Sequence, residues 1–174
     1  AVGYADPHVL GVGGAIVPVW ASGRPAWFPD EFDWVVGCTY RGMPNTATPV
    51  RNLIGCNMSF RRAVSDANGG FRNGIGRVGT HPVGCEETEY CIRANQRFPG
   101  QHFLYAPSAR VFHNVPASRA NWRYFRSRCY AEGLSKALIA RFIGRSSGLS
   151  SETSYVMRAL PLGVLRGLAR LRPS

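Results

Sequence analysis

Val9-Leu10-Gly11-Val12-Gly13-Gly14-Ala15-Ile16-Val17-Pro18-Val19 is an uncharged run with Val and Ile at both ends and three glycines inside. It is shorter than the ~18 apolar residues that a membrane span requires, and its β-branched content reads as a buried β-strand. Glycines inside a strand mark a bulge or a second backbone passing close by. The run is not a dinucleotide-binding fingerprint, because its Gly-Val-Gly-Gly lacks the third glycine and no helical pattern follows.

Working outward, residues 20–51 are loop-rich, with Pro25, Pro29, Pro44 and Pro49 set among Trp20, Trp27, Phe28, Phe32, Trp34 and Tyr40. Leu53-Ile54-Gly55-Cys56-Asn57-Met58-Ser59-Phe60 reads as a buried strand interrupted by one polar residue. A short helix around Ala63–Ala67 stops at Asn68-Gly69-Gly70. A glycine-spaced loop, 74–84, leads into a helix over 86–98. Two strands follow, His102–Tyr105 and Arg110–Val115, divided by a turn at Ala106-Pro107-Ser108. Ser118 is placed to N-cap a long helix reaching Phe142, with Trp122, Phe125, Cys129, Gly133 and Ala137 on one packing face. Gly144–Gly148 is a turn, and Ser151 caps a last helix that Pro161 interrupts. Strands mixed with helices predict an α/β fold. We divide it into a domain over 1–145 and a basic amphipathic tail over 146–174.

Charge separates the two halves. Residues 1–90 carry seven Arg against eight acids, a net of −1. Residues 91–174 carry thirteen Arg and Lys136 against Glu132 and Glu152, a net of +12. A basic half attracts anions: nucleic acid, acidic lipid headgroups or the phosphates of a nucleotide-sugar. The first eighteen residues lack the basic start and cleavage pattern of a secretory leader. The five cysteines, with no Cys-x-x-Cys pair, read as free thiols of a reducing compartment. The expected location is cytoplasmic, with peripheral attachment at the inner face of the cell membrane as an extension of that reading.

The chemistry-bearing residues each admit two readings. Glu86, Glu87 and Glu89 open a helix just after a glycine loop. Acids there are stabilised by the helix dipole by ~0.3–1 kcal/mol each, yet a carboxylate projecting from a helix start into a cleft is also suited to general-base work. Adjacent helical side chains diverge by ~100°, so Glu86 and Glu87 do not share one task. His113, at the end of Ala109-Arg110-Val111-Phe112-His113, is either a satisfied strand-end residue or an imidazole for a divalent metal. Asn57 is either a hydrogen-bonded core residue or a substrate contact.

In order, Gly55-Cys56-Asn57-Met58-Ser59-Phe60-Arg61-Arg62, Gly69-Gly70-Phe71, a glycine loop, Glu86-Glu87-Thr88-Glu89 with Arg93, Tyr105-Ala106-Pro107 and Ala109-Arg110-Val111-Phe112-His113 form a succession of separated blocks. That succession resembles the C-terminal half of the catalytic domain in family-2 glycosyltransferases of the GT-A fold. Residues 116–160 resemble the extension of an actinobacterial-type branch. The resemblance implies a partial GT-A fold, a mixed sheet with packed helices, whose N-terminal nucleotide-binding half is absent. It implies that Glu87 occupies the second position of the family's paired acids, usually aspartate, and deprotonates the acceptor hydroxyl in an inverting displacement, while Glu86 orients the helix start. Gly55, Asn57 and Arg93 are then substrate-binding, and His113 matches a histidine that in some members holds the metal. A divalent metal, Mg or Mn, is the implied cofactor, with most of its ligands missing from this chain. The implied partners are a nucleotide-sugar donor and a sugar or lipid-linked acceptor.

The family's Asp-x-Asp metal motif follows an apolar strand. Neither Glu31-Phe32-Asp33 nor Glu87-Thr88-Glu89 does so. The expectation is therefore a truncated transferase, inactive alone, with Val9–Val19 and Leu53–Phe60 exposed where strand neighbours are lost. Glu87, Asn57 and His113 are expected to line one open cleft. A reading of a different class makes the chain a noncatalytic basic module for nucleic acid or anionic membrane, resting on Trp122-Arg123-Tyr124-Phe125-Arg126; nucleic acid is the less favoured partner. The tail, with Arg158, Arg166, Arg170 and Arg172 among Leu and Val and no acid after Glu152, either packs onto its own domain or attaches to an anionic membrane.

Overall fold

A computed structural model describes residues 2–76, 84–143 and 155–170 of the 174-residue chain. Its centre is a mixed four-stranded sheet in the order β2-β4-β1-β3. The two long strands, β1 (Val9–Trp20) and β4 (His102–Val115), run parallel in the middle. Two three-residue strands, β2 (Thr48–Val50) and β3 (Met58–Phe60), pair antiparallel at the edges. Helices α1 (Arg62–Asn68) and α2 (Glu86–Arg97) lie on the connection between β1 and β4. Helix α3 (Trp122–Ile143) follows β4, and α4 (Leu160–Arg170) closes the described chain. The α/β class and the mixed sheet with packed helices are as the sequence predicts.

The glycines of β1 are there for the backbones beside them. A Cβ on Gly11 would stand 2.4 Å from the Ser59 carbonyl oxygen, and one on Gly13 would stand 2.8 Å from that of Asn57. At Gly14 the distance to the Ala109 carbonyl oxygen would be 1.9 Å. Between the Gly14–Ala106 and Ile16–Val111 pairs the register breaks, and β4 bulges toward β1. The turn expected at Ala106-Pro107-Ser108 is this bulge, and a single strand runs through it.

Four other expectations are corrected. Leu53–Phe60 is not one strand: Gly55–Asn57 forms a 3₁₀ turn that leads into short β3. The cap of α3 is Asn121, whose Oδ1 accepts the Tyr124 N–H at 2.9 Å, whereas Ser118 lies in a separate 3₁₀ turn. The buried face of α3 runs through Phe125, Ala131, Ser135 and Ile139, leaving Gly133 and Ala137 exposed. Ser135 misleads a hydropathy pattern because its hydroxyl is satisfied, donating to the Ala131 carbonyl and accepting from the Gly84 N–H. Finally, β1 has a neighbour on both sides and buries half of its positions, Val9, Leu10 and Ile16 among them, so it is not a strand stripped of partners. Val19 at its end is exposed, and only Leu53 is buried within Leu53–Phe60. The other exposed large apolar side chains among the described residues are Trp27, Phe71, Phe112 and those on α3 and along the tail.

Two apolar clusters hold the sheet. Leu10, Leu53, Val64, Cys91, Ala94 and Phe103 pack β1 and β4 against α1 and α2. Ile16, Phe28, Val35, Val36, Cys38, Val115 and Phe125 join the sheet to the 3₁₀ segment Asp30–Val36 and to the start of α3. Trp122 and Phe125 stack at 5.1 Å, and Trp27 meets both edge-on. Within the aromatic–arginine run at the head of α3, Phe125 is buried against its own protein, while Trp122 packs on it and stays 57% exposed.

The tail returns to the body. The Tyr155 hydroxyl donates to the Glu31 carbonyl at 2.7 Å and accepts from Trp34 Nε1 at 3.1 Å. Tyr155–Ala159 forms a π-helical turn that passes into α4. Pro161 sits where the π-helical turn changes to α4, and the helical run continues through it to Arg170, so the proline marks that change and does not end the helix. Ser151 and the 144–148 turn fall outside the described residues.

Glu89 shows how strongly α2 is fixed. Its side chain is fully buried, bonded by Arg93 Nε at 2.9 Å and Nη2 at 3.0 Å and by Arg72 Nε at 3.2 Å. Glu89→Ala leaves the partly buried Arg93 and the exposed Arg72 without their shared carboxylate and is expected to cost about 1–3 kcal/mol, read by chemical denaturation.

Candidate active site

The site builds from the start of α2. Gly84 and Cys85 turn the chain into the helix, and Cys85 does so at φ 74°, which among the described residues is the lone left-handed position outside glycine. Contacts from α3 hold that conformation. Gly84 N–H donates to Ser135 Oγ at 3.2 Å, and Cys85 Sγ donates to Glu132 Oε1 at 3.2 Å. Glu132 is tied by Arg128 at 2.7 Å and Lys136 at 3.4 Å, each at i,i+4 spacing on α3. Arg128 reaches this place because Gly84 has no side chain: a Cβ there would meet Arg128 Nη2 at 3.2 Å.

Three carboxylates and a guanidinium therefore gather at one helix end. Burial pushes the Glu87 carboxyl above its ordinary range, and the charges of Glu86 and Glu132 add to the shift against a backbone hydrogen bond and the weaker pull of Arg128. Glu132 goes the other way: burial acts to raise it, but Arg128 and Lys136 outweigh burial and hold it low. The two acids are thus driven apart, Glu132 as a fixed anion and Glu87 as a group ready to take a proton. The Glu87 carboxylate stands 3.8 Å from where a Cβ on Gly55 would be. Gly55 and Cys56 are exposed, so no side chain of residue 55 screens this carboxylate. Glu86 Oε2 is buried and has no hydrogen-bond partner among the described residues.

Of the expected site residues, Glu86, Glu87 and Gly55 come together. Asn57, two residues on, turns its amide into the backbone, Nδ2 donating to the Ala15 carbonyl at 3.0 Å and the Ala109 carbonyl at 2.8 Å. It ties the β4 bulge to β1 and the Gly55 turn. Asn57→Ala is expected to cost about 1–3 kcal/mol in stability, the penalty for leaving carbonyls unpaired, measured by urea unfolding.

Arg93 is not placed for substrate. Its Nε and Nη2 bond Glu89, and its Nη1 and Nη2 bond the carbonyls of Asn68 and Gly70, which pins the end of α1 to α2. This ion pair within α2 corrects the substrate-binding expectation.

His113 pairs with Pro18 across the β1–β4 ladder. Burial and the nearby Arg119 lower its pKa, and Nε2 is buried with no hydrogen-bond partner among the described residues. A neutral imidazole with an open nitrogen is a competent ligand, but a neighbouring cation opposes a metal. Among the described residues no three metal-ligating side chains come together. Glu31 and Asp33 are already paired with Arg24, Arg41 and Arg166. The described residues do not by themselves fit a divalent metal. A cavity of about 580 Å³ opens beside the bulge, lined by Ile16, Tyr40, Arg41, Tyr105 and Arg110 among others, and neither Glu87 nor His113 lines it.

Arg128 and Glu132 are the part of this site that sequence reasoning missed. Their signal was the 128/132/136 ladder of alternating charge on a helix with little other acidic content. Among the described residues no helix is long and apolar enough to cross a membrane.

No protein-family model matches the chain, and no solved structure matches it. Over 134 residues, 77% of this chain, it is 36% identical to the glucosyl-dolichyl phosphate glucuronosyltransferase of Haloferax volcanii. The match takes in 42% of that enzyme, so the chain spans less than half the length of the curated relative. Over these 134 residues, then, the chain is similar to a glycosyltransferase.

Proposed function

We propose that this chain supplies the acceptor side of an inverting, nucleotide-sugar-dependent glycosyltransferase of GT-A type, with Glu87 as general base. The observation that carries the reading is the Glu87 carboxylate itself. It projects from the first turn of α2 beside unscreened Gly55, raised in pKa by burial and by two flanking acids. A carboxylate in that state takes a proton from a sugar hydroxyl as the oxygen attacks the anomeric carbon, and a single displacement inverts that centre. Glu132 and Arg128, in this account, hold the helix start and set the local charge. The nucleoside diphosphate is the leaving group. A divalent metal on it would be held mainly by residues other than those described.

The relative's name gives the substrate class to try first: a sugar on a polyprenyl phosphate as acceptor and a nucleotide-activated sugar or uronic acid as donor. The test is an assay of the full-length enzyme with a panel of UDP- and GDP-sugars and a glucosylated polyprenyl phosphate. Formation of a product with inverted anomeric configuration supports the reading. A retained configuration, or no transfer to any sugar-bearing acceptor, overturns it.

A further inference from the structure

Helix α4 is amphipathic, but it is mounted with its apolar side outward. At ~100° per residue, Val164, Leu168, Leu165 and Leu162 fall within an arc of about 160°, and Gly163 and Arg166 lie on the opposite side. A helix on the surface of a globular protein ordinarily turns such an arc to the core and its charges to water. Here the aliphatic arc is exposed, and Arg166, itself half exposed, reaches back to the body. Gly163 lies against Glu31, where a Cβ would meet the carboxylate carbon at 3.1 Å, and Arg166 Nη1 is 3.4 Å from Glu31 Oε1. The four aliphatic residues are 50–62% exposed, and Val156 and Met157, at 52% and 71%, extend the patch through the preceding turn. Tyr155 clamps the base of this segment to Trp34 and Glu31, so the orientation is built into the fold.

We propose that the outward face of α4, with Val156 and Met157, is a docking surface for an anionic lipid bilayer, the helix lying in the plane of the interface. The form of the surface and its charge select this occupant. The arc is a row of branched aliphatics standing exposed along one helix. A row of that kind enters the boundary between headgroups and acyl chains. Residues 153–174 contain Arg158, Arg166, Arg170 and Arg172 and no acid, so the segment is drawn to negative headgroups. The inference stands on the helix and does not depend on Glu87 being a base. If the catalytic reading also holds, docking brings the enzyme to the layer in which a polyprenyl-linked acceptor resides.

The experiment is flotation of the purified full-length protein with vesicles of phosphatidylcholine alone and of phosphatidylcholine mixed equally with phosphatidylglycerol. The protein is compared with Leu165→Glu/Leu168→Glu and Arg158→Gln variants. These positions face solvent, so native circular dichroism is expected of all three. Wild type is expected to float with the anionic vesicles, the double variant to partition roughly a hundredfold less, and Arg158→Gln about fivefold less. A Leu165→Trp variant is expected to show a blue-shifted emission on adding the anionic vesicles. Equal flotation of wild type and the double variant overturns the proposal, as does failure of both to float. Wild type that is dimeric without lipid, with a monomeric double variant and no vesicle binding by either, assigns the face to a second copy instead. Loss of sugar transfer by a Glu87 variant leaves flotation unchanged, so the two readings fail separately.

Discussion

A full-length enzyme carrying Glu87→Gln is expected to transfer sugar about 10²- to 10⁴-fold more slowly than wild type, the range a positioned general base supplies. The amide keeps the shape and the contact with Gly55 but cannot take the proton. Wild-type activity should fall as pH drops through the raised pKa of Glu87, at a higher pH than for an ordinary glutamate, and the variant's residual rate should lose that limb. The same substitution is expected to stabilise the protein at neutral pH. Because the folded-state pKa is raised, Glu87 favours folding at acid pH, where its carboxyl is protonated, and that contribution is lost as pH rises through the folded value. Glutamine carries no such loss, so the variant should melt above wild type at pH 7, with the gap closing toward pH 4. A variant equally active at every pH would move the base to another residue. A variant that is inactive and also less stable at pH 7 would make Glu87 a structural acid.

The second large effect is at Gly14. Gly14→Ala places a methyl 1.9 Å from the Ala109 carbonyl oxygen and 2.8 Å from its carbonyl carbon and Cβ. These are mostly backbone atoms, so no side-chain rotation relieves the contact. The bulge must lift off β1, which also breaks the bond from Asn57 to the Ala109 carbonyl. The expected cost is about 3 kcal/mol or more, at the upper end of overpacking effects. Gly133→Ala is the matched opposite. Gly133 lies on the exposed face of α3 with open space where a Cβ would be, and alanine there should stabilise the helix by about 0.5–1 kcal/mol. Denaturation midpoints of the two variants, moving in opposite directions, check both.

How far such features can be read from the chain depends on whether their cause is local. Helix α1 ends where Gly69 and Gly70 say it should, and α2 starts at Glu86 after a glycine, because caps and breakers act within a few residues. The close approach at β1 was legible for the same reason, since a glycine inside an apolar run has few other uses. What failed was set by distant partners. Ser135 is polar by type and buried in fact, because Gly84, fifty-one residues away, gives its hydroxyl a donor. Arg93 looks like a free cation until Glu89 and the carbonyls at the end of α1 are in place. The pairing of Gly55 with Glu87 crosses a loop whose length says nothing of where it returns. Arg128 and Glu132 belong to the candidate site through tertiary packing of α3, a relation with no trace in the residues around Glu87.

Cys56 gives the region a built-in chemical handle. Of the five cysteines, Cys38, Cys85 and Cys91 are buried and Cys129 is partly covered, while Cys56 is exposed in the turn that faces Glu87. Burial pushes the Cys38 and Cys91 thiols up to about 12, and burial with the Glu87 charge raises the Cys56 thiol as well, so it is exposure that sets Cys56 apart toward alkylating reagents. A maleimide or iodoacetamide offered to the native protein therefore meets residue 56 first, one position from the glycine beside the carboxylate. The adduct fills that space, and any molecule resting there beforehand slows its formation. The rate of alkylation at this one thiol thus reports occupancy of the space beside Gly55 and Glu87 directly, with no radiolabelled donor and no knowledge of the acceptor.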